Sequence, residues 1–136
     1  MRQLRMLLVV AITVLFLPTA MAASPAGSWV TKGGRALVKL NASGNGYIVR
    51  VLKKKANDTG KCTKCRGKLK NRPIKGLTIV SGMKKTGANE WSGGRILDPE
   101  NGKYYRCKMT LKGNRLYVRG YIGVSLLGRT QTWVKR

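Results

Sequence analysis

The sequence contains no histidine and only four acidic residues, Asp58, Glu90, Asp98 and Glu100. Without histidine it lacks the side chain that most often moves protons near neutral pH, and the commonest metal ligand. Four dispersed carboxylates do not build a calcium or magnesium cage. Asp98 and Glu100 fall in the run Asp98-Pro99-Glu100-Asn101-Gly102, where an acid serves turn formation. There is also no nucleophile elbow and no phosphate-binding glycine loop. Catalysis, a metal and a cofactor are therefore not expected. The longest apolar run, Met6 to Leu17 with Thr13 inside it, has 12 residues, too few for the ~20 of a membrane-spanning helix. A transmembrane protein is not expected.

That short run is informative in its setting. Arg2 and Arg5 precede it, Pro18 ends it, and Ala20-Met21-Ala22 follows with small residues at the spacing of a processing site. The layout predicts a signal peptide over 1–22, cleavage before Ala23, and export to the periplasm or beyond. The remaining 114 residues form a single expected domain, 23–136. Removal of 1–22 takes away two arginines and no acid, leaving 26 basic against 4 acidic residues, a net of +22. Small domains usually carry a net charge of about 2–8. An excess this large attracts lipid headgroups, acidic glycans and other polyanions.

Three cysteines, Cys62, Cys65 and Cys107, lie in the exported part. Zinc wants four ligands and is poorly served. A redox pair needs a βαβ context that the pattern lacks, while Lys61, Lys64 and Arg66 beside the cysteines would lower a thiol pKa and keep a reactive reading open. A structural disulfide is expected, either Cys62–Cys65 or one of these with Cys107, leaving an odd thiol.

Apolar residues recur with period two. Ala36, Val38 and Leu40 share a face, as do Tyr47, Val49 and Val51. Tyr105, Cys107, Met109 and Leu111 form another such face, and Leu116, Val118, Gly120 and Ile122 a fourth. Further strands are expected at 28–32, 76–83, 90–97 and 129–135. One-sided alternation marks antiparallel strands with one buried face. Turn signals at Gly33-Gly34, Ser43-Gly44-Asn45-Gly46, 98–102 and Lys112-Gly113-Asn114 separate them. The sum is an all-β fold of about eight short strands, and closure into a small barrel would remove both sheet edges. Tyr47, Val49, Tyr105, Met109, Leu116 and Val118 are the candidate lining residues. At this chain length they are expected to fill a core rather than surround a roomy cavity.

One connection, 53–75, is long and carries ten basic residues with Asp58 as its one acid. Its candidates for anion binding are Lys53, Lys54, Lys55, Lys61, Lys64, Arg66, Lys68, Lys70 and Arg72. Loops beyond about 12–15 residues are usually functional or disordered. The apolar stretch 122–128 is the other irregular segment.

Gly27-Ser28-Trp29 ahead of the first strand is similar to the opening of lipocalin-like (calycin) barrels. The run from Trp91 through Asp98-Pro99, Gly102-Lys103 and Tyr105, then Leu116 to Gly123, then Gly128 to Trp133, resembles a family of uncharacterised secreted bacterial proteins, a domain of unknown function. The resemblance implies a Gram-negative source and an exported, calycin-like antiparallel β-barrel, with no activity to carry over. It also implies that Trp29 packs at a closed end beneath a late basic residue, for which Arg129 is the candidate, with Trp133 a further structural residue. The expected function is a non-enzymatic binder of anionic surfaces or polyanions such as lipopolysaccharide, anionic lipid or acidic glycan. Given export, nucleic acid is not the expected natural partner. The alternative is a periplasmic carrier of a small apolar or amphipathic ligand.

Overall fold

The computed structural model describes residues 9–16, 23–124 and 128–136. Arg2, Arg5, the expected processing site Ala20-Met21-Ala22 and the centre of the apolar stretch at 125–127 lie outside the described residues. Nine strands follow in order: β1 (Gly27–Val30), β2 (Ala36–Leu40), β3 (Gly46–Val51), β4 (Thr78–Ser81), β5 (Lys84–Gly87), β6 (Glu90–Asp98), β7 (Lys103–Lys112), β8 (Arg115–Tyr121) and β9 (Arg129–Lys135). The only helical elements among the described residues are two single 3-10 turns, Lys32–Gly34 and Gly67–Leu69.

All strand pairs are antiparallel. The sheet runs β4-β3-β2-β1-β9-β8-β7-β6-β5, and an additional β4–β6 pairing closes it into a barrel. Nine segments make eight staves, because β4 and β5 are two halves of one strand. Val80 pairs with Ile96 and Ser81 with Arg95, while Lys84 pairs with Ser92 and Lys85 with Trp91, a single unbroken register against β6. The break falls at Gly82-Met83. It faces the irregular Gly93-Gly94 stretch of β6, where the β6–β7 register also shifts. Gly94 is required there: a Cβ would run into the Ser81 carbonyl and the Met83 amide. The glycines bend these staves and let the sheet curl shut.

The strands alternate between two ends. At one end the connections are tight: the turns 41–45, 88–89 and 113–114. The first folds under the barrel as a plug. Gly44 is buried, and a Cβ on it would touch Met83, Trp91 and Met109. Asn45 Oδ1 accepts the Met83 N–H at 2.8 Å, fixing that plug to the broken strand. Above it sit Trp29, Trp91, Trp133, Met109 and Leu116, each under 2% exposed, with no buried polar or charged residue among those described. Three fully buried indoles in so small a domain account for much of its apolar burial, since each covers 150–250 Å². The Trp29 Nε1–H donates to the Pro25 carbonyl at 2.8 Å, which removes the cost of burying that donor.

Two details differ from the sequence pattern. Tyr47 is 41% exposed, and Ile48 is buried in its stead. The β2–β3 register shifts between Leu37 and Val38, so that Val38 faces Ile48 and Ala36 faces Val51. Val49 is the extra residue of this bulge, which flips the phase between Ile48 and Val51. The cation over Trp29 is Lys135, with Nζ 5.9 Å from the ring centroid, in place of Arg129. Lys135 pairs in register with Trp29 across β1–β9, whereas Arg129 begins β9 at the opposite end.

Candidate functional site

The other end of the barrel is open. Its connections are 31–35, 52–77, 99–102 and, where described, 122–124 and 128, and between them lies a cavity of about 1500 Å³. A filled core was the expectation from chain length, and the open cavity corrects it. The closed end holds the packed tryptophans, and the strands leave a gap above Trp133. Val38, Ile48, Ile79, Ile96 and Val118 line the cavity's walls, and Trp133 lies at its floor. Polar groups enter higher up. Tyr105 Oη accepts from the Asn101 amide at 2.8 Å, and Gln131 projects from β9.

The candidate lining residues divide. Tyr105 and Val118 line the cavity. Met109 and Leu116 are fully buried one layer lower, in the closed end. Tyr47 and Val49 do not line it, for the reason of phase given above. Ile48, Val51, Ile79 and Ile96 were not singled out from sequence, although Val51 sits in an alternating run. Burial of Ile48 cannot be read from a pattern that a bulge interrupts.

The rim is basic. Lys32, Arg35, Lys53, Lys55, Lys61, Lys64 and Arg129 border the cavity, against Asp58, Asp98 and Glu100. Two of the three acids are committed to their own turns: Asp58 Oδ1 accepts the Gly60 N–H at 2.8 Å, and Asp98 Oδ1 accepts the Glu100 N–H at 2.9 Å. Glu100 reaches across the opening and pairs with Arg35 at 2.5 Å and Lys55 at 3.4 Å. Lys32, Lys53, Lys61, Lys64 and Arg129 have no carboxylate partner among the described residues. Lys54, Arg66, Lys68, Lys70 and Arg72, the remaining anion-binding candidates, are exposed and lie outside the cavity lining. Arg72 Nε donates to the Lys68 carbonyl at 3.1 Å within the same loop.

The basic connection is folded rather than loose. Cys62 and Cys65 form a disulfide with Cα atoms 5.3 Å apart, and both are buried. Lys61 bridges to Pro73, and the Cys62 carbonyl accepts from Asn71, so the segment closes on itself as a small lobe. The Asp98–Gly102 turn docks on it. Cys62 Sγ lies 3.8 Å from the Pro99 carbonyl oxygen, and a Cβ on Gly102 would overlap the Lys64 backbone. With φ at +70°, Gly102 suits both the turn and this close approach. The contact holds Glu100 over the mouth. Cys107, the odd thiol, is buried on β7, and burial pushes its pKa from 9.0 up to about 12. At neutral pH it therefore stays a protonated, buried thiol. No group of three or more His, Cys, Asp or Glu among the described residues could hold a metal. No helix among them is long and apolar enough to cross a membrane.

A family model described as "Uncharacterized protein conserved in bacteria (DUF2147)" matches residues 27–135, the whole barrel. The solved structure titled "Protein HP1028 from the human pathogen Helicobacter pylori belongs to the lipocalin family" superposes with a TM-score of 0.69 at 22% sequence identity, covering 82% of each chain. That likeness shows a lipocalin-like fold. No curated protein matches the sequence significantly.

Proposed function

The chain belongs to the DUF2147 family of bacterial proteins, and from its open cavity we infer that it is an exported, non-catalytic carrier of a small, largely apolar ligand. The observation that carries the reading is the cavity of about 1500 Å³, open at one end, with aliphatic walls over a tryptophan floor. Small-molecule sites are concave and mostly apolar, with few polar groups to fix orientation. Here Tyr105, Asn101 and Gln131 are those groups. Binding in the mouth of a small barrel is also what the lipocalin-like architecture favours. Export is inferred from the basic, then apolar, then small-residue layout of 1–22.

The test is ligand capture. Native mass spectrometry of the protein purified from its own periplasm is expected to show a co-purifying small molecule. Val118→Phe, which adds a ring to the cavity wall, is expected to lose that molecule while keeping a cooperative thermal transition. Retention of the same molecule by Val118→Phe would place its binding elsewhere.

A second reading concerns where the mouth faces. Ile122 and Val124 are 69% and 60% exposed on the rim connection between β8 and β9, at the same end as the basic segment 53–75. An exposed apolar tip beside a cationic rim favours contact with an anionic envelope surface, with the opening turned towards it. Salt-sensitive binding to anionic vesicles is the corresponding test.

A further inference from the structure

We propose that the ligand is an acidic amphiphile, with its apolar chain in the barrel and its anionic head held at the rim by Arg35 and Lys55 in place of Glu100. The proposal rests on the carrier reading and adds the chemistry of the head group.

Three segments that are distant in sequence meet at this point. Arg35 precedes β2, Lys55 stands in the long β3–β4 connection, and Glu100 lies in the β6–β7 turn. Their side chains are 47%, 66% and 51% exposed. Ion pairs so open to water contribute little, because solvent screens them and two long side chains must be held still. The Glu100 carboxylate is therefore an exchangeable occupant of the Arg35–Lys55 site. If displaced, it regains water at the surface. A ligand carboxylate or phosphate would bring the same charge and would also bury a chain against Val38, Ile48 and Val118. Arginine's planar fork suits either head group, since both accept two parallel hydrogen bonds.

The surrounding charge favours the exchange. Asp58 and Asp98 are tied into their own turns, so Glu100 is the acid available to move. Lys53 and Arg129 border the same cavity without a carboxylate partner among the described residues. Cations around the mouth of a low-dielectric cavity concentrate an attractive field on its opening. A neutral ligand would leave that field unused.

The experiment compares one chain with three heads. Decanoate, decyl phosphate and decanol, each below its micellar concentration, are titrated calorimetrically into the exported protein. Decanoate or decyl phosphate is expected to bind roughly tenfold or more tightly than decanol, and the tighter of the two identifies the head group. Glu100→Gln, which removes the competing charge, is expected to tighten the acids several-fold without changing decanol. The double variant Arg35→Gln/Lys55→Gln is expected to cut the acid advantage to about twofold or less, with decanol binding kept as the control for folding. Equal affinity for all three probes would overturn the head-group assignment and leave the carrier reading standing. Loss of decanol binding along with the acids in the double variant would make these residues structural and also overturn it. No binding of any probe would overturn the carrier reading itself.

Discussion

The two ends of this barrel are built by the same eight staves and differ in nearly everything else. The closed end has turns of two to five residues, three fully buried tryptophans and a glycine plug under Met109. The open end has a cavity of about 1500 Å³, a disulfide-tied basic lobe and a carboxylate bridging two cations over the mouth. Stability is concentrated where side chains interlock and exclude water. The capacity to bind is concentrated where they do not. Substitutions at the closed end should therefore act on folding, and those at the open end on binding.

The sharpest way to break this division is Trp29→Ala. Removing a buried indole at the closed end is expected to cost about 3–5 kcal/mol, measured by urea unfolding. A loss under about 1 kcal/mol would mean the closed end is not the anchor. The buried thiol of Cys107 gives a second test. Its pKa is about 12 in the fold against an ordinary 9.0, so the folded state holds its proton more tightly than the unfolded chain. That contribution is complete below pH 9 and is lost as pH rises towards 12. The wild-type protein should then lose on the order of 4 kcal/mol more than Cys107→Ala across this range. Parallel pH profiles for the two proteins would contradict it.

At the open end the expected costs are smaller. Cys62→Ser/Cys65→Ser removes a short cross-link and should lower stability by about 2 kcal/mol, while weakening ligand capture because the Asp98–Gly102 turn loses its support. Smallest of all is Lys53→Ala/Lys54→Ala/Lys55→Ala. Its unfolding free energy should stay within about 0.5 kcal/mol of wild type. Its binding to anionic vesicles at low salt should nevertheless fall by roughly two powers of ten, at about 1 kcal/mol per basic residue near the surface. Unchanged vesicle binding would confine the role of these charges to the cavity or to solubility.

The strands were legible wherever alternation ran uninterrupted. The runs of β7 and β8 state their inner faces residue by residue, from Cys107 and Met109 to Leu116 and Val118, because a strand buried on one side must repeat every two residues. Legibility failed at irregularities. The bulge at Val49 exchanged Tyr47 for Ile48, and the break at Gly82-Met83 turned one strand into two segments. The cation over Trp29 was misplaced because Arg129 and Lys135 lie at opposite ends of the same strand, and only the β1–β9 register brings Lys135 to the ring. The cavity left no local signature at all. Whether inward side chains meet or leave a gap depends on the barrel's diameter and taper, and no single strand encodes these. The Arg35–Glu100–Lys55 bridge was equally hidden, since its members are brought together only by barrel closure.

The account's central claim is that the open end takes a ligand chain down to the Trp133 floor. Chemical-shift mapping of the isotopically labelled protein during a decanoate titration tests it most directly. The account predicts saturable shifts at Ile48, Val118 and the Trp133 indole, accompanied by Arg35 at the rim, with Gly44 and Gly113 at the closed end unmoved. Saturable shifts confined to the outer surface of the barrel, or no saturable shifts at all, would contradict it.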